Sequence, residues 1–251
     1  MDLSLLKSPT FHSHSIAVHS YDIDFKGRLN VFSLFNYFQE IAWEHAAKLH
    51  FGLEDLSKKN LFWVLSRVRV EIERLPRWSE KITLITYPRE IDGLFALRDY
   101  EIYDSEGTRI ISGSSSWLIL DANTRRPVRL NDLGLNFVTN NRRALSVNPS
   151  KILDVKQSPI KIEELTVKAS EIDVNHHVNN VRYIEWAYNT FPMAYHKENL
   201  IKVVEVNFLA EGKEENRIKV ELFQLSENEN TVIINRIDDK KELCKVYFEW
   251  M

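Results

Sequence analysis

Cysteine is nearly absent from this chain. One residue, Cys244, occurs in 251, so an intrachain disulfide cannot form and a cysteine-based metal cluster is excluded. Cys244 lies in an apparent strand and reads as a structural thiol. Seven Gly and seven Pro leave little material for long flexible linkers. No apolar run approaches the roughly 18–20 residues that a membrane-spanning helix needs. Residues 1–7, Met-Asp-Leu-Ser-Leu-Leu-Lys, lack the apolar stretch and cleavage site of a secretory leader. The cytoplasm is the expected compartment. Neither sign of charge dominates: 33 Lys and Arg against 36 Asp and Glu give a formal net charge of -3, with no bulk attraction to nucleic acid. There is no glycine-rich phosphate loop and no Gly-x-Ser-x-Gly elbow. The eight His are scattered, and His12 with His14, at the start of a strand, has no Cys or acidic neighbour at ligand spacing. No metal and no cofactor are expected. What is present, 44% hydrophobic and 27% charged residues, suits a soluble globular protein of one large or two small domains.

The halves of the chain resemble each other. Ile16-Ala17-Val18 through Asp22-Ile23-Asp24 matches Leu165-Thr166-Val167 through Glu171-Ile172-Asp173 without a gap, an offset of 149 (165−16), and Asn30 meets Asn179 at the same offset. Val70-Glu71-Ile72 matches Val206-Asn207-Phe208, and Lys81-Ile82-Thr83-Leu84 matches Arg217-Ile218-Lys219-Val220, both at an offset of 136 (206−70). Several gapless blocks in one order point to a duplicated unit. Each copy opens with an alternating strand, His14 to Ser20 or Glu164 to Ala169, followed by a polar turn and a helix. Val31, Leu34, Phe35, Phe38, Ile41, Ala42, Ala46 and Leu49 recur at helical spacing; Val181, Ile184, Ala187 and Phe191 do so over a shorter run. Period-two patterns then predict strands over Phe62–Glu73, Lys81–Arg89, Leu97–Asp104 and Arg109–Leu120, and again over Lys202–Leu209, Arg217–Ser226, Thr231–Asp238 and Leu243–Trp250. The expected class is α+β, with an antiparallel sheet covering one helix in each copy. The expected domains are 1–130 and 161–251, joined by a connector over 131–160.

The most informative stretch is Asp173-Val174-Asn175-His176-His177-Val178-Asn179-Asn180-Val181-Arg182-Tyr183. Read as extended backbone, it puts Asp173, Asn175 and His177 on one face, so that a carboxylate, an amide and an imidazole converge. Asn179 and Asn180 have the chemistry of a helix cap. A helix start aims N–H groups and partial positive charge at this cluster, which suits a reaction that builds negative charge on a carbonyl oxygen. The first copy has Asp24, Lys26 and Arg28 at the matching positions. Lys and Arg cannot serve as a neutral imidazole base, so the second copy is expected to carry the chemistry and the first to shape a pocket.

Together with Phe62-Trp63-Val64-Leu65-Ser66-Arg67 and Ser116-Trp117-Leu118-Ile119-Leu120, followed by Thr124-Arg125-Arg126-Pro127, this stretch resembles the acyl-acyl carrier protein (acyl-ACP) thioesterases of the plant plastid and bacterial type. The resemblance covers nearly the whole chain. It implies a tandem (double) hotdog, each curled antiparallel sheet wrapped around one long helix. The implied reaction is hydrolysis of fatty acyl-ACP to free fatty acid and holo-carrier. Plant members carry a transit peptide, whereas this chain begins almost directly on its first strand, which implies a bacterial, cytoplasmic version.

The family's catalytic Asp, Asn and His fall on Asp173, Asn175 and His177. A downstream acid falls near Ala210-Glu211-Gly212: aligning the glycine puts Ala210 where the plant enzymes have Glu and Glu211 where many have Cys. Either the acid has moved to Glu211 or the alignment slips by one. His177, with Glu211, is the expected base for water; Asn175 would hold water or the carbonyl oxygen, and Asp173 would orient the turn. Amides near Asn179 and Asn180 would meet the oxyanion. A covalent intermediate on Asp173 or Glu211 is the alternative. Asn179 and Asn180 are equally ordinary caps, and Phe35, Phe38, Trp43 and Trp63 fit a core as well as an acyl tunnel. Arg125, Arg126 and Arg129, with Arg142 and Arg143, form the candidate surface for an acidic carrier. An acyl-CoA thioesterase, a non-enzymatic acyl-binding module and a dehydratase or hydratase on the same fold stand as competing functions. A monomer and a homodimer of fused chains both fit.

Overall fold

The computed structural model describes residues 8–133 and 137–251. The leader reading of residues 1–7 and the connector residues 134–136 lie outside the described residues. The chain divides into two compact units, Met1–Pro149 and Ser150–Met251. Among the described residues, no helix is long and apolar enough to cross a membrane.

The first unit comprises β1 (His12–Ala17), α1 (Val31–Lys48), α2 (Leu53–Ser57), β2 (Leu61–Ile72), β3 (Lys81–Asp92), β4 (Phe95–Tyr103), β5 (Arg109–Asp121) and β6 (Pro127–Val128). Its antiparallel sheet runs β1-β3-β4-β5-β2, with β6 paired to β5. The second unit comprises β7 (Lys161–Thr166), α3 (Asn180–Asn189), α4 (Met193–Glu198), β8 (Ile201–Phe208), β9 (Arg217–Gln224), β10 (Glu229–Arg236) and β11 (Lys241–Trp250). Its order, β7-β9-β10-β11-β8, is the same strand for strand. The registers agree as well: Ile16 faces Ile82 in one unit and Leu165 faces Ile218 in the other, at the offsets of 149 and 136 read from the sequence. The expected strands are present to within a few residues. The short helices α2 and α4, of five and six residues, had no sequence signal, because fewer than two turns carry no periodicity.

Each principal helix is capped by the asparagine the repeat aligns. Asn30 Oδ1 accepts from Ser33 N at 2.7 Å and Asn179 Oδ1 from Val181 N at 3.0 Å. The buried face of α1 presents Val31, Leu34, Phe35, Phe38, Ile41, Ala42 and His45. Phe38 stacks on Tyr100 of β4, ring centroids 4.3 Å apart, and lies over Gly113 of β5. A Cβ at Gly113 would come within 2.6 Å of the Phe38 ring, so this strand position needs glycine for packing. Phe35 and Phe38 are therefore core residues. Trp43, in contrast, is 56% exposed and belongs to neither core nor tunnel. It follows the buried Ala42 on α1 and falls on the solvent face. Trp63 is half-buried, its Nε1 donating to Phe51 O at 2.8 Å.

The segments flanking residue 149 run without a ladder, and side chains satisfy their backbone instead. In the first unit, Asp99 Oδ2 of β4 accepts from Ala144 N at 2.7 Å, and Glu101 accepts from Arg142 Nε and Nη2 at 3.1 and 3.2 Å. In the second, Asn207 of β8 accepts from Ile152 N at 2.8 Å and donates to Ser150 O at 2.9 Å, while Glu205 accepts from Ser150 N.

His45 is the buried base of the first unit. One ring nitrogen meets Pro9 O at 3.1 Å, and the other lies 3.1 Å from Arg98 Nη1. An N–H on Nε2 thus donates to the carbonyl and Nδ1 accepts from the guanidinium. Burial first, and then the Arg98 charge, push the imidazole down to about 4. In an unfolded chain it titrates near 6.5. Between those values the unfolded state binds the extra proton, so stability should be lost as pH falls below about 6.5, by roughly 2 kcal/mol at pH 5. Urea denaturation at pH 7 and pH 5 measures this. His45→Gln, which keeps an acceptor and a donor, should shrink the difference; an undiminished pH dependence would assign it to other groups.

Candidate active site

Residues Asp173 to His177 form a tight turn, not the extended segment expected from the sequence. Asp173 N donates to His177 O at 2.8 Å and His176 N to Asp173 O at 3.0 Å. The Asp173 side chain closes the inside, Oδ1 accepting from Asn175 N at 2.8 Å and from His177 N at 3.3 Å. Short acidic side chains favour such turns because the carboxylate replaces a backbone acceptor. His176 sits at φ 60°, the left-handed region, and its side chain is exposed. The turn ends in the bridge between Ile172 and Val178, directly before the cap of α3. Turn geometry replaces alternation here because two amides bind one carboxylate oxygen.

Beyond the turn, the site depends on the segment after β8. Val178 N donates to Gly212 O at 2.9 Å, and Gly212 N donates to Tyr183 Oη at 2.8 Å. Tyr183 belongs to the buried face of α3, and burial pushes its phenol far up, so it stays neutral. A Cβ at Gly212 would come within 2.8 Å of Tyr183 Oη and 3.0 Å of Val178 Cγ2. Glycine is what allows this approach. The seam carries Glu211 to the turn: His177 Nε2 lies 3.2 Å from Glu211 Oε2. The two side chains are 24% and 40% exposed, so the pair is reachable from solvent.

The first unit contains the same scaffold with different chemistry. Asp24 Oδ1 accepts from Lys26 N at 2.8 Å and Arg28 N at 3.0 Å, and Gly27 (φ 68°) takes the place of His176. Leu29 N donates to Pro76 O at 2.8 Å, the counterpart of Val178 and Gly212. Pro76 has no N–H to give, and Leu34 occupies the position of Tyr183. Where the second unit has His177 and Glu211, the first has Arg28 and Leu75. Arg28 folds back onto Asp24 Oδ2 through Nε at 3.3 Å and Nη2 at 3.0 Å.

The remaining expected residues separate clearly. Asn175 is exposed, and among the described residues its side-chain amide has no hydrogen-bond partner. Asn179 is committed to the cap, with its N–H donating to Glu171 O at 2.9 Å. Asn180 opens α3, where the first amides have no intrahelical acceptor. Arg125, Arg126 and Arg129 are exposed, Arg125 lying over the Phe62 ring at 5.0 Å. Arg142 instead neutralises the buried Glu101 and bonds Tyr103 Oη at 3.0 Å, while Arg143 pairs with Glu90 at 2.7 Å. Arg142 thus ties its segment to β4, whereas Arg143 and Glu90 form an exposed pair of little weight. The structure also corrects the view that His12 and His14 lack an acidic neighbour. Glu44 of α1 reaches both, brought there by the fold across 32 residues. Tyr183 and Gly212 were missed as supports; the replacement of Gly by Pro76 at the matching position was the available signal.

An antiparallel α+β protein with an imidazole–carboxylate pair at a helix start fits the hotdog class, and solved structures agree. An acyl-ACP thioesterase from Bacteroides thetaiotaomicron superposes with a TM-score of 0.89 at 27% identity, over 97% of this chain and 100% of that one. A 12:0-ACP thioesterase from Umbellularia californica shares the fold, with a TM-score of 0.85 at 22% identity over 96% and 97% of the two chains. The family models for the acyl-ACP thioesterase N-terminal and C-terminal domains match residues 9–135 and 154–251, and the chain belongs to the acyl-ACP thioesterase family. Among curated relatives, a chloroplastic palmitoyl-acyl carrier protein thioesterase of Gossypium hirsutum is 26% identical over 95% of this chain. A chloroplastic acyl-carrier-protein hydrolase of Cuphea viscosissima is 30% identical over 71%. This chain spans 63% and 46% of the length of those two proteins.

If the Gly212–Tyr183 bond holds Glu211 in place, Tyr183→Phe leaves a buried N–H without an acceptor. Loss of about 1–3 kcal/mol of stability is expected in denaturant titration. An unchanged midpoint would show that Gly212 is held by Val178 alone.

Proposed function

We propose that the chain hydrolyses fatty acyl-ACP thioesters to free fatty acid and holo-carrier, at a site in its second unit, and that each unit is one hotdog of a tandem pair. The observation that carries this reading is the pair His177 Nε2–Glu211 Oε2 at 3.2 Å, on a turn whose copy in the first unit has Arg28 and Leu75. An imidazole held by a carboxylate keeps one nitrogen toward its partner and offers the other to water. A positioned base of this kind contributes roughly 10²–10⁴-fold. The exposed Asn175 amide is assigned to hold the water or the thioester carbonyl. The first amides of α3, Asn180 included, supply positive potential for the oxyanion.

Asp173 is assigned a positioning role. Asp24 makes the same pair of backbone bonds in the unit that lacks the histidine, so these bonds belong to the turn. This favours a general-base mechanism over a covalent one through Asp173. The first unit, with its aromatic core of Phe35, Phe38 and Tyr100, is assigned the shaping of the acyl pocket. Arg125, Arg126 and Arg129 remain the candidate contact for the acidic carrier.

Free-fatty-acid release from a panel of acyl-ACPs and the matching acyl-CoAs tests the reading. His177→Ala should lower kcat by about 10² or more. Glu211→Gln should lower it less, because the imidazole loses its charged partner but keeps a neighbour able to hydrogen-bond. Charge reversal at Arg126 and Arg129 should raise KM for acyl-ACP and leave acyl-CoA unaffected. A folded wild type that releases no acid from either panel would leave an acyl-binding module in place of an enzyme. Faster turnover of the CoA series would reassign the substrate.

A further inference from the structure

We infer that His12, His14 and Glu44 form a binding site for a divalent transition metal of the zinc type, in the first unit and separate from the residues assigned to hydrolysis. β1 places the two histidines at i and i+2, on one face of a strand. α1 packs against β1 and brings Glu44 to that face. The geometry is convergent: His12 Nε2 and His14 Nε2 lie 2.9 and 2.8 Å from the same oxygen, Glu44 Oε2. One donor atom from each of the three residues lies within 4.8 Å of the others. Two imidazoles and one carboxylate are a sufficient ligand set for zinc or a related ion, with coordination positions left for water.

Two further features support a site over a chance cluster. The donors stand on a strand and a helix, which fix their positions better than loops do. Their side chains are 11%, 41% and 24% exposed for His12, His14 and Glu44, so the pocket is sheltered and still open to exchange. The repeat adds a control. Lys161 and Glu163 occupy the matching places on β7, where they pair with each other at 2.7 Å. The fold therefore does not require histidine at these positions.

One group opposes a cation. Lys48 Nζ lies 3.3 Å from His12 Nδ1, and its charge competes with any bound ion. Lys48 is exposed and can swing into solvent. Without metal, the same three residues form a clasp in which Glu44 Oε2 is hydrogen-bonded with His12 and pairs with His14.

Calorimetric titration of the full chain with ZnCl₂, with Co²⁺ absorption as a spectroscopic probe, separates the two. One saturable ion per chain is expected, with a rise in Tm that a chelator reverses. His14→Ala and Glu44→Gln should each weaken binding by at least about tenfold, in line with the loss of a direct ligand; Lys48→Met should tighten it. Glu44→Gln is isosteric, and its Tm without metal reports whether folding is retained. No stoichiometric binding by the wild type, or equal binding by His14→Ala and Glu44→Gln, overturns the assignment and leaves the clasp alone. Since the readout is metal affinity, it stands or falls independently of hydrolytic activity.

Discussion

One carboxylate oxygen binding two backbone amides is the constraint on which both units depend. Asp24 and Asp173 each fold the chain between the first strand and the principal helix into the same turn. The turn fixes where the helix starts, and so which residues of α1 and α3 face their sheets. It also fixes the direction of the side chain at its last position, Arg28 or His177. A backbone seam then ties the residue after that position to the segment that follows the next strand, Leu29 to Pro76 and Val178 to Gly212. Each link is modest, since a hydrogen bond in water contributes on the order of 1 kcal/mol net. Their combined effect is geometric, because together they leave the last turn residue facing a single point on the neighbouring segment.

On that common frame, three of the substitutions distinguish the proposed site from its copy most directly. Arg28 becomes His177, Leu75 becomes Glu211, and Pro76 becomes Gly212. The third enables the second. Proline cannot donate to Tyr183 and would crowd it, whereas Gly212 donates and leaves room. In the first unit, Arg28 turns inward to Asp24 and seals the turn with an ion pair 3.0 Å long. His177 is too short and lacks the forked donors for that closure, so it turns outward to Glu211. The second turn is thereby less tightly closed, and its imidazole stays partly exposed. The exposed Asn175 amide shows the same pattern, which the proposed site requires if it is to admit substrate.

Much of this was legible in the sequence, and the failures have specific causes. Strand positions followed from period-two patterns, and the repeat offsets predicted register as well as order. Asp173, Asn175 and His177 were singled out from residue type and spacing, and the structure places them on one turn before α3. The extended face expected of them is absent, because the Asp173 carboxylate binds the Asn175 and His177 amides and closes the segment into a turn. Glu211 could be named but not placed, since alternatives one residue apart look alike until Gly212 fixes the register. Arg142 read as surface charge because its partner, Glu101, is 41 residues away on a strand whose buried face also holds Asp99. His12 and His14 read as isolated for the same reason: helix packing, not sequence spacing, delivers Glu44.

The contrast between Arg142 and the His177–Glu211 pair shows how charge is used in this fold. Glu101 is 1% exposed, and removing a carboxylate from water costs several kcal/mol unless its partners are close. Arg109 at 3.0 Å and Arg142 at 3.0 Å meet that demand, and so pin the connector to β4. Such a pair cannot change protonation or exchange partners without loosening the unit. His177 and Glu211 lie at the opposite limit, at 24% and 40% exposed, where little desolvation has to be offset and the mutual attraction is correspondingly weak. Their contact contributes little to stability, and it leaves both groups able to change partners, as the proposed reaction requires. The polar groups that hold the chain and those assigned to its chemistry are thus divided by burial.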